Sequence, residues 1–139
     1  MTHSPSPLKG SAADRVAALT PENPYLSTER KPRLLIVGAG MMGREHLRVS
    51  QLLGWADVQG IVDPNGGSLE WACADWRLLT NAPLTIYRDL NEACGDEAVD
   101  AIVIATPNHT HRDVLHAVAS SHKPVLLEKP MATTLADAM

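Results

Sequence analysis

Arg33-Leu34-Leu35-Ile36-Val37-Gly38-Ala39-Gly40-Met41-Met42-Gly43 is the stretch that decides the fold of this 139-residue chain. After Arg33 the first residues are continuously apolar, and a short apolar run stopped by glycine reads as a strand covered on both faces. The next six residues spell G-x-G-x-x-G. Met42, His46, Val49 and Leu53 then recur at the spacing of one helical face, which puts the glycines between a strand and a helix. In that setting each glycine has its own task. Gly38 permits the tight turn, Gly40 lets the backbone approach a pyrophosphate, and Gly43 lets the helix press on the strand. The helix N-terminus offers free N–H groups and a partial positive charge to phosphates. A glycine turn without any ligand is the bland alternative.

Outward from this stretch, apolar runs and helical periods keep alternating. Strands are expected at 58–62, 84–87, 99–105 and 125–127. Helices are expected at 69–79 and 89–94, the second closed by Gly95. Asp63-Pro64-Asn65-Gly66-Gly67 is a dense turn signal. Asn108 or Thr110 is expected to cap a further helix with the stripe His111, Val114, Leu115 and Val118, and a last helix begins near Thr133 or Thr134. Strands separated by helices imply right-handed crossovers and a parallel sheet. The expected fold is α/β, doubly wound, with strand order 3-2-1-4-5-6.

Composition agrees. Hydrophobic residues make up 45% of the chain and charged residues 20%, enough for a packed core. There is no Phe, so the core must rest on Leu, Ile, Val, Ala and Met. A net charge of −4 without a basic stripe speaks against nucleic acid or an anionic membrane surface as partner. No stretch reaches the roughly 18 apolar residues of a spanning helix. Cys73 and Cys94 form neither a disulfide framework nor a metal-ligand pattern, and a reducing cytoplasm suits them. The first residues carry neither an apolar h-region nor paired arginines, so no secretory signal is expected. Pro5, Pro7, Pro21, Pro24 and Pro32 crowd the start of the chain. Residues 1–31 are therefore expected to be a flexible arm, and 32–139 the globular domain.

Asp63 comes twenty residues after Gly43, at the end of the second strand. An acid there can accept hydrogen bonds from both ribose hydroxyls of an adenosine, and its charge repels a 2′-phosphate. No Arg or Lys lies within 64–68 to receive that phosphate, so NAD is expected and NADP disfavoured. A role confined to starting the Asp-Pro turn is compatible with this one. A methyltransferase would also place an acid behind a glycine loop; the spacing favours a dinucleotide.

Further strings extend the pattern. Ala105-Thr106-Pro107-Asn108-His109-Thr110-His111 follows the fourth strand, Glu128-Lys129-Pro130 the fifth, and Tyr87-Arg88-Asp89 the third, while His46 stands three residues after the last glycine. Together with 38–43 they resemble the N-terminal Rossmann domain of the Gfo/Idh/MocA oxidoreductase family. The likeness runs from about Arg33 to the end of the chain. It implies an NAD(P)-dependent dehydrogenase acting on a sugar, cyclitol or similar polyol. It places Thr106, Pro107 and Asn108 beside the nicotinamide, with His111 opening the next helix. Glu128 and Lys129 become the active-site pair, and the Lys129–Pro130 peptide is often cis in such proteins. An ammonium at Lys129 can stabilise or relay the hydroxyl proton during hydride transfer; a structural ion pair is the alternative. His109-x-His111 lacks further ligands, so no metal is expected. An inward His111 near the cofactor fits better. His46, on an apolar helix face, is expected to be a satisfied core residue, and His116 and His122 to lie at the surface.

The family's enzymes add a second α+β domain with a D-x-x-x-H motif, and no Asp of this sequence has His four positions on. The chain also stops before a sixth strand. A domain fragment or truncated product is thus expected, which binds dinucleotide weakly, turns over no polyol alone, and exposes a sheet edge through which copies can associate. A non-catalytic dinucleotide-binding regulatory or scaffold module is the second reading; Lys129 within Glu-Lys-Pro favours descent from an enzyme.

Overall fold

A computed structural model describes residues 30–139. The expected arm, up to residue 29, lies outside the described residues. Five strands form one parallel sheet: β1 (Arg33–Val37), β2 (Asp57–Val62), β3 (Thr85–Ile86), β4 (Ala101–Ile104) and β5 (Val125–Leu127). Their order is β3-β2-β1-β4-β5. The helices are α1 (Met41–Leu53), α2 (Gly66–Leu79), α3 (Leu90–Gly95), α4 (His111–Ala119) and α5 (Leu135–Ala138).

Alternation along β1 explains how one strand serves two layers. Leu35 and Val37 join a cluster with Val62, Val99, Ile102, Ile104 and Val118. Ile36 joins the other cluster, with Leu47, Val58, Ile61, Ala72, Trp76 and Val103. Successive side chains point to opposite faces, so a strand covered on both sides reads as unbroken hydrophobicity. At β1 the chain leaves toward β2 on one side and meets β4 on the other. Loops therefore diverge past its carboxyl end and open a crevice there.

The helices depart from expectation in instructive ways. On α1 the buried residues are Gly43 and Leu47, whereas Met42 and Leu53 are exposed. A Cβ on Gly43 would fall on the Gly38 carbonyl oxygen, so the helix meets the strand through its glycine rather than through its apolar stripe. α2 begins at Gly66, because the Asn65 side chain accepts the Ser68 N–H at 3.0 Å and outweighs the poor propensity of two glycines. β3 is two residues long, paired on one side only, to β2. Neither Asn108 nor Thr110 caps α4 with its side chain. A short 3₁₀ turn (Asn108–Thr110) comes first, and Thr110 Oγ1 turns back to donate to the Pro107 carbonyl at 2.7 Å. His111 and Val118 are buried on α4, but Leu115, on the same face, stays exposed. The last helix is capped by Thr134, as expected.

Candidate functional site

The crevice past β1 is a cavity of about 840 Å³. Its floor is the glycine loop. Gly38 has φ +101°, and a Cβ on it would lie 2.7 Å from the Ala105 carbonyl oxygen. The glycines at 38 and 43 are thus required by the protein's own backbone. Gly40 is different: a Cβ there would meet nothing within 4 Å, and its φ of −69° is open to any residue. Protein packing gives no reason for a glycine at 40; a ligand lying against the loop does.

Gly40 is the N-cap of α1, yet among the described residues no side chain caps this helix, and its first turn holds no acid. By contrast, Asn65, Asp89 and Thr134 cap α2, α3 and α5 with their own oxygens. The first-turn N–H groups of an α-helix have no partner within the helix, and here Gly40, Met41 and Met42 line the cavity. The dipole of this 13-residue helix favours an anion at the same point.

Asp63 lines the cavity on the side of β2. Its Oδ2 accepts the Ala39 N–H at 2.7 Å and its Oδ1 the Asn65 N–H at 2.7 Å. One carboxylate therefore ties the glycine loop to the loop after β2 and also starts the turn. Each oxygen keeps a further lone pair for a hydroxyl donor. Arg88 lines this cavity too, and the sequence reading did not single it out. Its Nε donates to Glu92 Oε2 at 3.2 Å, while the side chain is largely exposed. Its signal was the place of Tyr87-Arg88-Asp89 after β3, the strand beside β2.

Thr106, Pro107 and Asn108 line the opposite wall of the same cavity. Behind them stands His111, with no exposed surface. Its Nε2 lies 2.9 Å from the Thr106 carbonyl oxygen and its Nδ1 3.0 Å from that of Pro130. The imidazole thereby joins the loop after β4 to the loop after β5. His111 supports this wall from behind rather than facing the cavity.

Glu128 follows β5, and its backbone N–H extends the ladder to the Ile104 carbonyl at 3.0 Å. Its Oε1 accepts Nε2–H of His46 at 2.6 Å. That bond, foremost, holds the Glu128 carboxyl below the usual carboxylate range. His46 is half-buried and partnered, but its partner is a candidate site residue rather than the core. Lys129 is exposed, and the Lys129–Pro130 peptide is cis. Neither Glu128 nor Lys129 lines the 840 Å³ cavity. Among the described residues no three His, Cys, Asp or Glu side chains converge on a metal position. His109 is exposed while His111 is buried. No helix among them is long and apolar enough to cross a membrane.

The residues present fit a dinucleotide: open space over Gly40, uncapped amides beyond it, and a carboxylate on the ribose side. Residues 32–139 match the family model GFO_IDH_MocA, described as an oxidoreductase family with an NAD-binding Rossmann fold, and the chain belongs to this family. Inositol 2-dehydrogenase 1 of Saccharopolyspora erythraea is 34% identical over 108 residues, covering 77% of this chain and 31% of that protein. The crystal structure of an NAD-binding protein from Listeria innocua is similar with a TM-score of 0.66 and 32% identity, over 78% of this chain and 30% of that one. Myo-inositol dehydrogenase from Lactobacillus casei, in complex with NAD(H) and myo-inositol, has a TM-score of 0.66 at 26% identity, over 78% of this chain and 31% of that one. The chain thus spans about a third of the length of these relatives.

Proposed function

We propose that this chain binds NAD in preference to NADP and forms the cofactor half of an oxidoreductase acting on a CH–OH carbon of a cyclitol or sugar. The observation that carries the cofactor reading is Gly40, whose missing side chain faces a cavity rather than a neighbour. The α1 amides hold the pyrophosphate, and Asp63 receives the ribose hydroxyls and repels a 2′-phosphate. Thr106, Pro107 and Asn108 bound the nicotinamide end. Bound nicotinamide supplies the hydride chemistry. Lys129 supplies an ammonium for the hydroxyl oxygen whose proton must move. The relatives named as inositol dehydrogenases support the substrate class.

Calorimetric titration of NAD+ and NADP+ into wild type, Gly40→Val and Asp63→Ser tests this reading. Gly40→Val should abolish binding while leaving the melting temperature nearly unchanged, because its side chain enters open space. Asp63→Ser should narrow the preference for NAD+. Equal affinity of the wild type for both cofactors would refute the role given to Asp63, and unaltered binding by Gly40→Val would refute the cavity as the site.

Residues 32–139 are proposed to be the folding unit, in a cytoplasmic protein, with residues 1–31 dispensable. A chain starting at residue 32 should melt within a few degrees of the full one; a larger loss would contradict this. Association of copies through the exposed β5 edge is read from sedimentation.

A further inference from the structure

We propose that His46 is a positioning residue for Lys129: by holding the Glu128 carboxylate, it keeps that carboxylate from closing on the neighbouring ammonium. The inference rests on the reading that Lys129 meets the substrate hydroxyl. Glu128 and Lys129 are adjacent and opposite in charge, at the end of a strand whose residues are largely exposed. Such neighbours are free to form a surface ion pair. In the structure both carboxylate oxygens are otherwise engaged. Oε1 takes the Nε2–H of His46 at 2.6 Å, and Oε2 takes the backbone N–H of Lys129 at 3.2 Å. Among the described residues no ion pair joins Lys129 to a carboxylate.

The geometry assigns the work to His46 in particular. It stands on α1, the helix whose start lines the cavity, and it is held in place by a partly buried face of that helix. A bond to a carboxylate requires its proton on Nε2. Removing that donor frees Oε1 to rotate toward Nζ, where it would satisfy the ammonium that a substrate oxygen is meant to find. His46 touches neither cofactor nor substrate in this account. Its effect is to leave the charge of Lys129 unspent.

The test is acetylation of Lys129 by an amine-directed ester at fixed pH, in the chain without cofactor. Peptide mass spectrometry resolves each lysine, with Lys31 and Lys123 as internal references. In His46→Phe the freed carboxylate should slow acetylation of Lys129 about threefold, the size of an exposed ion pair, without altering the reference lysines. His46→Gln, whose amide N–H can replace Nε2–H, should restore the rate. So should the double variant His46→Phe/Glu128→Gln, which has no carboxylate to pair. If the phenyl ring is not accommodated, His46→Ala removes the same donor without bulk and carries the same expectation. An unchanged Lys129 rate in folded His46→Phe or His46→Ala overturns the proposal, as does slowing that persists in the double variant. Because no cofactor is present, failure to bind NAD+ would overturn the cofactor reading alone.

Discussion

The centre of the sheet and its two edges are held by different physics. In the centre, β1, β2 and β4 end in buried residues, and the loop beyond β1 is shaped by backbone meeting backbone: Gly43 on the Gly38 carbonyl, Gly38 on Ala105. At the edges, β3 and β5 are short and largely exposed. Each is anchored just past its end by polar side chains. Tyr87 Oη donates to Asp96 Oδ2 at 2.6 Å beyond β3; His46 and His111 hold Glu128 and Pro130 beyond β5. The glycine loop therefore sits on the closely packed part of the molecule. Lys129 sits on a part whose position depends on a few hydrogen bonds.

The comparison predicts a ranking of losses. Gly43→Ala should be the most damaging, because neither of the colliding groups is a flexible side chain. A loss of about 3 kcal/mol or more is expected in urea unfolding. A loss below about 1 kcal/mol would mean that α1 can slide on β1, and that the centre is no stiffer than the edges.

His111→Leu should come next. It keeps the volume roughly constant but removes the imidazole that sits between the Thr106 and Pro130 carbonyls, an expected cost of about 2 kcal/mol. Hydrogen exchange should accelerate in the loops at 106–110 and 128–131 and not at 38–43. Uniform acceleration would erase the distinction between the two ends of the site.

Tyr87→Phe should be the mildest, about 1 kcal/mol at neutral pH. Its pH dependence is more telling than its size. Burial, foremost, raises the Tyr87 phenol from 10.0 to about 12. A raised pKa in the folded state means stability that is whole below pH 10.0 and lost as the pH rises toward about 12. The gap between wild type and Tyr87→Phe should therefore narrow over that window. On the acid side, the hydrogen bond from Tyr87, chiefly, lowers Asp96. That contribution is present above the ordinary carboxylate range and is lost as pH falls through the lowered value, so Tyr87→Phe should flatten the acid limb. A constant gap at both extremes would remove Tyr87 as the anchor of the β3 edge.

Much of the site was legible because its requirements are local. A tight turn, a helix start and an acid after the next strand lie within 33–63, where spacing along the chain translates directly into spacing in space. The helix faces were less legible. Period alone chose Met42, His46, Val49 and Leu53 for α1, because it counts apolar residues and cannot see a close approach through Gly43. His46 shows the same limit. Its partner Glu128 is 82 residues away, so its place three residues after the last glycine marked it without revealing what it holds.

What the sequence by itself determined is the order of strands and helices, the glycine loop and the position of Asp63. These follow from local periodicity and from what glycine alone can do. Only the tertiary structure decided that Gly40 faces empty space while its sister glycines face backbone, and that Arg88 lines the cavity. The tertiary structure alone also made Glu128 a tether between α1 and β5. The reason is physical: these properties belong to distances between segments remote in sequence. Such distances are set by how the crossovers stack, not by the preferences of any one stretch.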